Sequence, residues 1–310
     1  MSTANVEEPV NDSGEEEEEV EQVNVEEVTK ELVEQFKPSL SVLQRTTANR
    51  GFAYVKLDLA EKELSHIYDA LEAFRQIKYL DLSKNSLKNI EGLKHCKNLI
   101  TLNLSENEID DVNMLMDEQI SFHYLKKLDL SKNKLKQFAS KAVSNLNHLI
   151  LNGNELTDAD LDSLRALVIL ELRSNKLGTI QNIDQCSLVE EVYAAENELD
   201  DLNLFNTLNK LRKLHIRKNK LTQIDISTEQ WLPTLEYLNV RENLIKDEES
   251  VKDSIRFKSL KSFNFLANPV CEENEELIPR LFEEHFLTEE FRRSKLTRDL
   301  AELFQQNRDQ

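Results

Sequence analysis

One eleven-residue sentence is written ten times along this chain of 310 residues. Its form is L-x-x-L-x-L-x-x-N-x-L, with other apolar residues admitted at the Leu positions. Clear copies are Ile77-Leu80-Leu82-Asn85-Leu87, Leu99-Leu102-Leu104-Asn107-Ile109 and Leu125-Leu128-Leu130-Asn133-Leu135. The series runs on through Asn154, Asn175, Asn197, Asn219 and Asn243. A copy with Lys62 in the Asn place opens it, and Leu260-Phe263-Phe265-Asn268-Val270 closes it. Successive key positions stand 23, 22, 26, 21, 21, 22, 22, 24 and 25 residues apart. The middle two apolar residues are two apart, so they point to one side of a short strand. The flanking ones fill the same interior. A single copy cannot bury that face, whereas stacked copies can.

The spacing identifies the array as a leucine-rich repeat of the short class, near 22 residues per copy. The expected fold is an α/β solenoid: a leucine-rich repeat horseshoe of about ten repeats, with short parallel strands on the concave face and helical caps at both ends. Asn85, Asn107, Asn133, Asn154, Asn175, Asn197, Asn219, Asn243 and Asn268 are expected to form a structural ladder, each amide bonding backbone groups of adjacent turns. A buried amide without partners would cost roughly 1–3 kcal/mol, so these residues need no functional explanation. Asn, rather than Gly, is expected to make the recurring turn, in keeping with 28 Asn against 5 Gly.

Charge divides the chain further. The formal net charge is −19. Residues 1–35 hold 13 acids and one Lys, a net of −12, including the unbroken run Glu15–Glu19. The expected organisation is an acidic disordered arm over 1–23, an N-terminal helical cap over 24–53, the array over 54–270 and a C-terminal cap and helix over 271–310. Val25, Val28, Leu32 and Phe36 fall at helical spacing, and Pro38 ends that run. Beyond the array, Leu281, Phe282 and Phe286 could cap the last repeat. Thr288 reads as a helix start, and Phe291, Leu296, Leu300, Leu303 and Phe304 read as an apolar stripe.

Little in the sequence points to catalysis. Five isolated glycines make no phosphate loop, and no nucleophile or metalloprotease motif occurs. Cys96 and Cys186 share one repeat offset, which reads as a small core position rather than a redox or metal one. The expectation is therefore no enzyme, no catalytic residues, no cofactor and no metal. Acidity argues against nucleic acid and anionic membrane as partners. The absence of a long apolar run or a signal-like N-terminus argues for a cytoplasmic chain.

The outer side of the strands remains available for binding. At repeat offsets two, four and six, the second half of the array presents Arg173, Tyr193, His215, Arg217, Tyr237 and Arg241. Arg and Tyr dominate binding hot spots. The cluster reads as a basic, aromatic concave patch suited to an acidic helix or loop of a partner protein. Small polar residues, Ser83, Ser105 and Ser131, take the offset-six place in the first half.

The array with its closing Phe265-Leu266-Ala267-Asn268-Pro269 resembles the short leucine-rich repeat proteins. Gly51-Phe52-Ala53-Tyr54-Val55-Lys56-Leu57, the turn Leu64–Tyr68 and the run Leu235–Asn243 resemble, more specifically, the axonemal proteins of radial spokes typified by the leucine-rich repeat-containing protein 23 family. That resemblance covers about residues 40–300. It implies a non-catalytic scaffold of the cilium or flagellum axoneme that contacts other radial-spoke proteins. Two competing readings are a leucine-rich repeat regulatory subunit of a protein phosphatase and a cytosolic adaptor or assembly factor.

Overall fold

The structure, a computed structural model, describes residues 24–45, 51–117, 120–139, 141–224, 232–254 and 259–273. The acidic arm and the segment carrying the Phe291–Phe304 stripe lie outside the described residues. Nine of the ten copies set their first middle apolar residue at the centre of a three-residue strand. These strands are β3 (Tyr79–Asp81), β4 (Thr101–Asn103), β5 (Lys127–Asp129), β7 (His148–Ile150), β9 (Ile169–Glu171), β10 (Glu191–Tyr193), β11 (Lys213–His215), β12 (Tyr237–Asn239) and β13 (Ser262–Asn264). They follow β1 (Leu40–Arg45) and β2 (Phe52–Asp58) in one eleven-stranded sheet. From β2 onward every neighbour is parallel, and equivalent offsets pair: Leu80 with Leu102, Leu170 with Val192, Leu214 with Leu238. The three outer columns therefore run unbroken across the concave face.

Behind the sheet, Leu80, Leu82, Leu87, Leu102, Leu104, Leu170, Leu172 and their equivalents form one continuous buried core. Cys96 and Cys186 are buried in it, and burial pushes both thiols up to about 12. The return arms must bridge a similar arc with different numbers of residues. In the two 21-residue intervals the chain is extended, as β6 (Gln137–Phe138) pairing in parallel with β8 (Asp158–Ala159). Longer intervals use the shorter rise of 3-10 turns, at Ala70–Phe74, Glu91–His95, Asn113–Met116 and Asn203–Phe205. The 25-residue interval accommodates the helix α2 (Glu248–Ser254). Gly92 lies in one such turn because a Cβ there would collide with the Tyr68 carbonyl oxygen.

The ladder amides are fully occupied. Asn85 Nδ2 donates to the carbonyls of Leu59 at 2.8 Å and Leu82 at 2.9 Å, while its Oδ1 accepts from the Leu64 N–H at 2.9 Å. One bond within the turn and two to the preceding repeat recur at Asn107, Asn133, Asn154 and Asn175. They recur again at Asn197, Asn219, Asn243 and Asn268. The turn itself uses a second device that the Asn pattern did not reveal. The residue before each ladder Asn is left-handed: Lys84, Glu106, Lys132, Gly153, Ser174, Glu196, Lys218, Glu242 and Ala267. Gly153 alone among these nine avoids the Cβ penalty of that region. Seven of the others offset it by donating the same residue's N–H to the next repeat, as Lys84 does to the Ser105 carbonyl at 2.9 Å and Lys218 to the Arg241 carbonyl at 2.8 Å.

The N-terminal cap departs from the helical expectation for 24–53. Helix α1 (Val25–Phe36) starts at Asn24, whose side chain accepts from the Glu27 N–H. It buries Phe36 against Phe74, with ring centroids 6.2 Å apart. Past Pro38 the chain becomes β1, which pairs antiparallel with β2. A helix can cover the apolar interior but cannot satisfy the backbone edge of β2, and a strand can. At the other end, Pro269 opens α3 (Pro269–Glu273), where its missing N–H costs nothing, and Val270 is buried.

Candidate partner-binding face

The six residues singled out on the second half of the array are adjacent in space. The Arg173 guanidinium carbon lies 4.4 Å from the centre of the Tyr193 ring. Tyr193 meets His215 edge-on at 6.4 Å between centroids, and His215 meets Tyr237 edge-on at 6.3 Å. Tyr193 and His215 hold the same offset on in-register strands about 4.8 Å apart, while Arg173 and Tyr237 reach them from the neighbouring columns. Asn239 closes the row, with its Nδ2 donating to Tyr237 Oη at 3.2 Å and lying 3.3 Å from His215 Nε2. Burial, together with the nearby Arg173 and Arg217 charges, holds His215 below its ordinary value, so the ring is neutral at physiological pH. Burial and the neighbouring Glu191 carboxylate, which accepts from Tyr193 Oη at 2.6 Å, push the Tyr193 hydroxyl up.

Charge on this face differs from the basic patch that the sequence suggested. Arg173 Nη1 donates to Glu171 Oε2 at 3.3 Å. Arg217 Nη2 donates to Glu242 Oε1 at 2.8 Å, and Arg241 Nε stands 3.3 Å from the same oxygen without the alignment of a hydrogen bond. Glu171 also receives His148 Nε2 at 3.0 Å and Asn152 Nδ2 at 2.9 Å. Burial works against its ionisation, yet these donors and the Arg173 charge outweigh it and keep the carboxyl below its ordinary range. The face is thus a charge-balanced band of guanidinium, ring and carboxylate. Glu171, Glu191, Glu242 and Asn239 belong to it and were missed as site residues. Their signal was available in part, because Glu191 stands on the same strand as Tyr193 and Glu171 two residues before Arg173.

The first half of the face is built otherwise. Ser83 Oγ donates to Asp81 at 2.6 Å, Ser105 Oγ to Asn103 at 2.8 Å and Ser131 Oγ to Asp129 at 2.6 Å. Each Ser bond is made within its own repeat, and Asn103 Nδ2 also donates across one rung to Asp81 Oδ2 at 3.1 Å. Among the described residues, no group of three His, Cys, Asp or Glu side chains could hold a metal ion, and no helix is long and apolar enough to cross a membrane.

In-register parallel strands, an apolar interior and the Asn ladder define a leucine-rich repeat protein, a class whose curved sheet acts as a protein-binding scaffold. The leucine-rich repeat family model matches residues 168–310, and a two-copy leucine-rich repeat model matches 75–115. Leucine-rich repeat-containing protein 23 of Xenopus tropicalis is 31% identical over 245 residues, covering 78% of this chain and 68% of the relative. The Bos taurus protein of that name is 26% identical over 263 residues, covering 77% and 69%. The chain belongs to the leucine-rich repeat-containing protein 23 family. A protein phosphatase 1 regulatory inhibitor subunit homolog of Arabidopsis thaliana is 27% identical over 168 residues, covering 53% of this chain and 45% of that relative. Among solved structures, the InlJ functional domain of Listeria monocytogenes shares the fold, with a TM-score of 0.57 at 20% identity, covering 70% of this chain and 45% of that one. Internalin C2 of the same organism has a TM-score of 0.54 at 26% identity, covering 65% and 87%.

Proposed function

We propose that this chain is a non-catalytic scaffold of the radial spoke in motile cilia or flagella, holding other axonemal proteins on its concave face. Membership in the leucine-rich repeat-containing protein 23 family supports the class, and the radial-spoke resemblance of Gly51–Leu57 supports the location. The observation that carries the binding reading is the unbroken row Arg173, Tyr193, His215, Tyr237 with Arg217 and Arg241 beside it. Rings supply apolar area at low entropic cost, and the guanidinium groups read a carboxylate. The partner is an acidic helix or loop whose carboxylate takes over the position of Glu242 between Arg217 and Arg241. Crosslinking mass spectrometry on isolated axonemes tests this directly. Crosslinks from the second-half strands to a spoke protein are expected, and absence of the chain from demembranated cilia would sink the reading.

A second reading follows from the similarity to the phosphatase regulatory inhibitor subunit homolog. In that case the same face would hold a phosphatase catalytic subunit, and a pull-down with that subunit would find a stoichiometric complex.

A further inference from the structure

Exposed apolar surface concentrates at the end of the sheet opposite the last repeat. On the β1–β2 hairpin, Val42 is 49% exposed, Leu43 55%, Phe52 65% and Tyr54 50%. Phe52, Tyr54 and Lys56 alternate along β2 and so share one face. Pairing puts Arg45 beside Phe52, Leu43 beside Tyr54 and Ser41 beside Lys56. Lys56 in turn pairs with Tyr79 of the concave offset-two column, so this patch continues the concave face past the first repeat. The two rings together present roughly 200 Å², given the 150–250 Å² typical of an aromatic side chain. Added to Leu43, this approaches the largest apolar patch that a monomer ordinarily exposes.

The strand beside the patch is also open. β1 is last in the sheet, and past Leu40, whose N–H bonds the Lys37 carbonyl, no further strand pairs with its outer edge among the described residues. Edge strands are usually guarded by Pro, inward charges or a covering element. Between Leu40 and Arg45 there is no Pro, and Arg45 is the one charge. Val42 is held at φ 57°, a costly conformation for a β-branched residue, and Val42 opposite Val55 is the one position skipped in the hairpin register.

We propose that β1 accepts an extended strand from another protein, with apolar side chains at alternate positions and a carboxylate beside Arg45. Backbone pairing along the open edge would supply affinity, and the Leu43–Phe52–Tyr54 surface would select the apolar side chains. Charge decides between this occupant and a second copy. Two copies joined edge to edge would bring together two N-terminal segments of net −12 each and two sets of Arg45 and Lys56. A foreign strand with one acid meets instead an exposed Arg45, which stands at the end of β1 remote from α1, about 17 Å from Leu40.

The test is hydrogen exchange on the full chain with a short synthetic peptide that alternates valine and threonine and carries one glutamate near its end. Protection of those amides between residues 41 and 45 that do not already bond β2 is expected, lost when alternate peptide nitrogens are methylated. Leu43→Glu is expected to weaken binding about tenfold or more, equivalent to at least 1.4 kcal/mol. As a second variant, Arg45→Glu should transfer preference to the same peptide with lysine in place of glutamate. Both substituted positions are exposed, so melting should be unchanged. No protection at millimolar peptide, or protection indifferent to methylation, overturns the proposal. So does concentration-dependent self-association of the full chain that Leu43→Glu abolishes, because a second copy is then the occupant.

Discussion

The two halves of the concave face are built on one strand template and differ in how far their side chains reach. In the first half, Asp81 with Ser83, Asn103 with Ser105 and Asp129 with Ser131 close short bonds inside each repeat. In the second half, Arg173 reaches the Tyr193 ring, His215 touches rings on both sides, and Arg217 reaches Glu242. Self-satisfied pairs leave few donors or acceptors for a partner and little apolar area. Long side chains that lean across rungs make a continuous surface of rings and guanidinium groups. The contrast teaches that the array supplies a neutral scaffold, and that side-chain length at three columns turns part of it into a binding face.

The core beneath both halves is continuous, so the largest effects should be the same in each. Leu102→Ala in the first half and Leu170→Ala in the second should each cost about 2–5 kcal/mol by urea denaturation, since both side chains are buried. A large inequality would break the picture of one uniform core. The ladder comes next. Asn107→Ala and Asn219→Ala should each cost about 1–3 kcal/mol, because backbone carbonyls and an N–H lose their partners.

Binding should then separate the halves. Arg217→Glu with Arg241→Glu is expected to weaken an acidic partner at least about tenfold, equivalent to 1.4 kcal/mol, in calorimetry. Asp81→Asn with Asp129→Asn should leave that affinity unchanged. Stability should shift by no more than about 1 kcal/mol in the Arg variant, because its ion pairs with Glu242 are solvent-facing. A comparable change belongs to the single hydroxyl. Ser105→Ala should cost about 0.5–1.5 kcal/mol through loss of its bond to Asn103.

The smallest expected effect is a pH dependence confined to the second half. His215 is held below its ordinary 6.5 by burial and by Arg173 and Arg217. The unfolded chain therefore takes up the proton first as pH falls. The contribution of the neutral ring is present above 6.5 and declines as pH drops below it. His215→Gln should flatten that part of the stability profile, measured as the urea midpoint between pH 7.5 and 5.5. An unchanged slope would place the titrating group elsewhere.

Much of this architecture is legible in the repeat. Apolar spacing placed the strands and their register, and the Asn column marked the ladder positions. The candidate face was legible only as a set of residue types. Arg173, Tyr193, His215 and Tyr237 could be put in neighbouring columns, because parallel in-register strands align equal offsets. Neutralisation of the guanidinium groups by Glu171 and Glu242 was not visible, because it depends on which rotamers meet, within a repeat for Arg173 and Glu171 and across a rung for Arg217 and Glu242. The left-handed residue before each Asn was hidden for a related reason. Lys, Glu and Ser occupy it as readily as Gly, since a backbone bond to the next turn holds the conformation.

The sequence by itself determined the solenoid, its number of turns, the buried columns and the helix that begins at Asn24. Each of these depends on a local period repeated along the chain, and a period survives without knowledge of distant contacts. Tertiary structure alone decided the ends and the charges. The β1–β2 hairpin forms because the first parallel strand would otherwise expose its backbone edge, and Pro38 has already ended the helix that might have continued there. The hairpin moves that open edge outward to β1 rather than abolishing it. That Glu242 neutralises Arg217 is likewise settled only when repeats stack, because the two lie 25 residues apart in sequence and one rung apart in space.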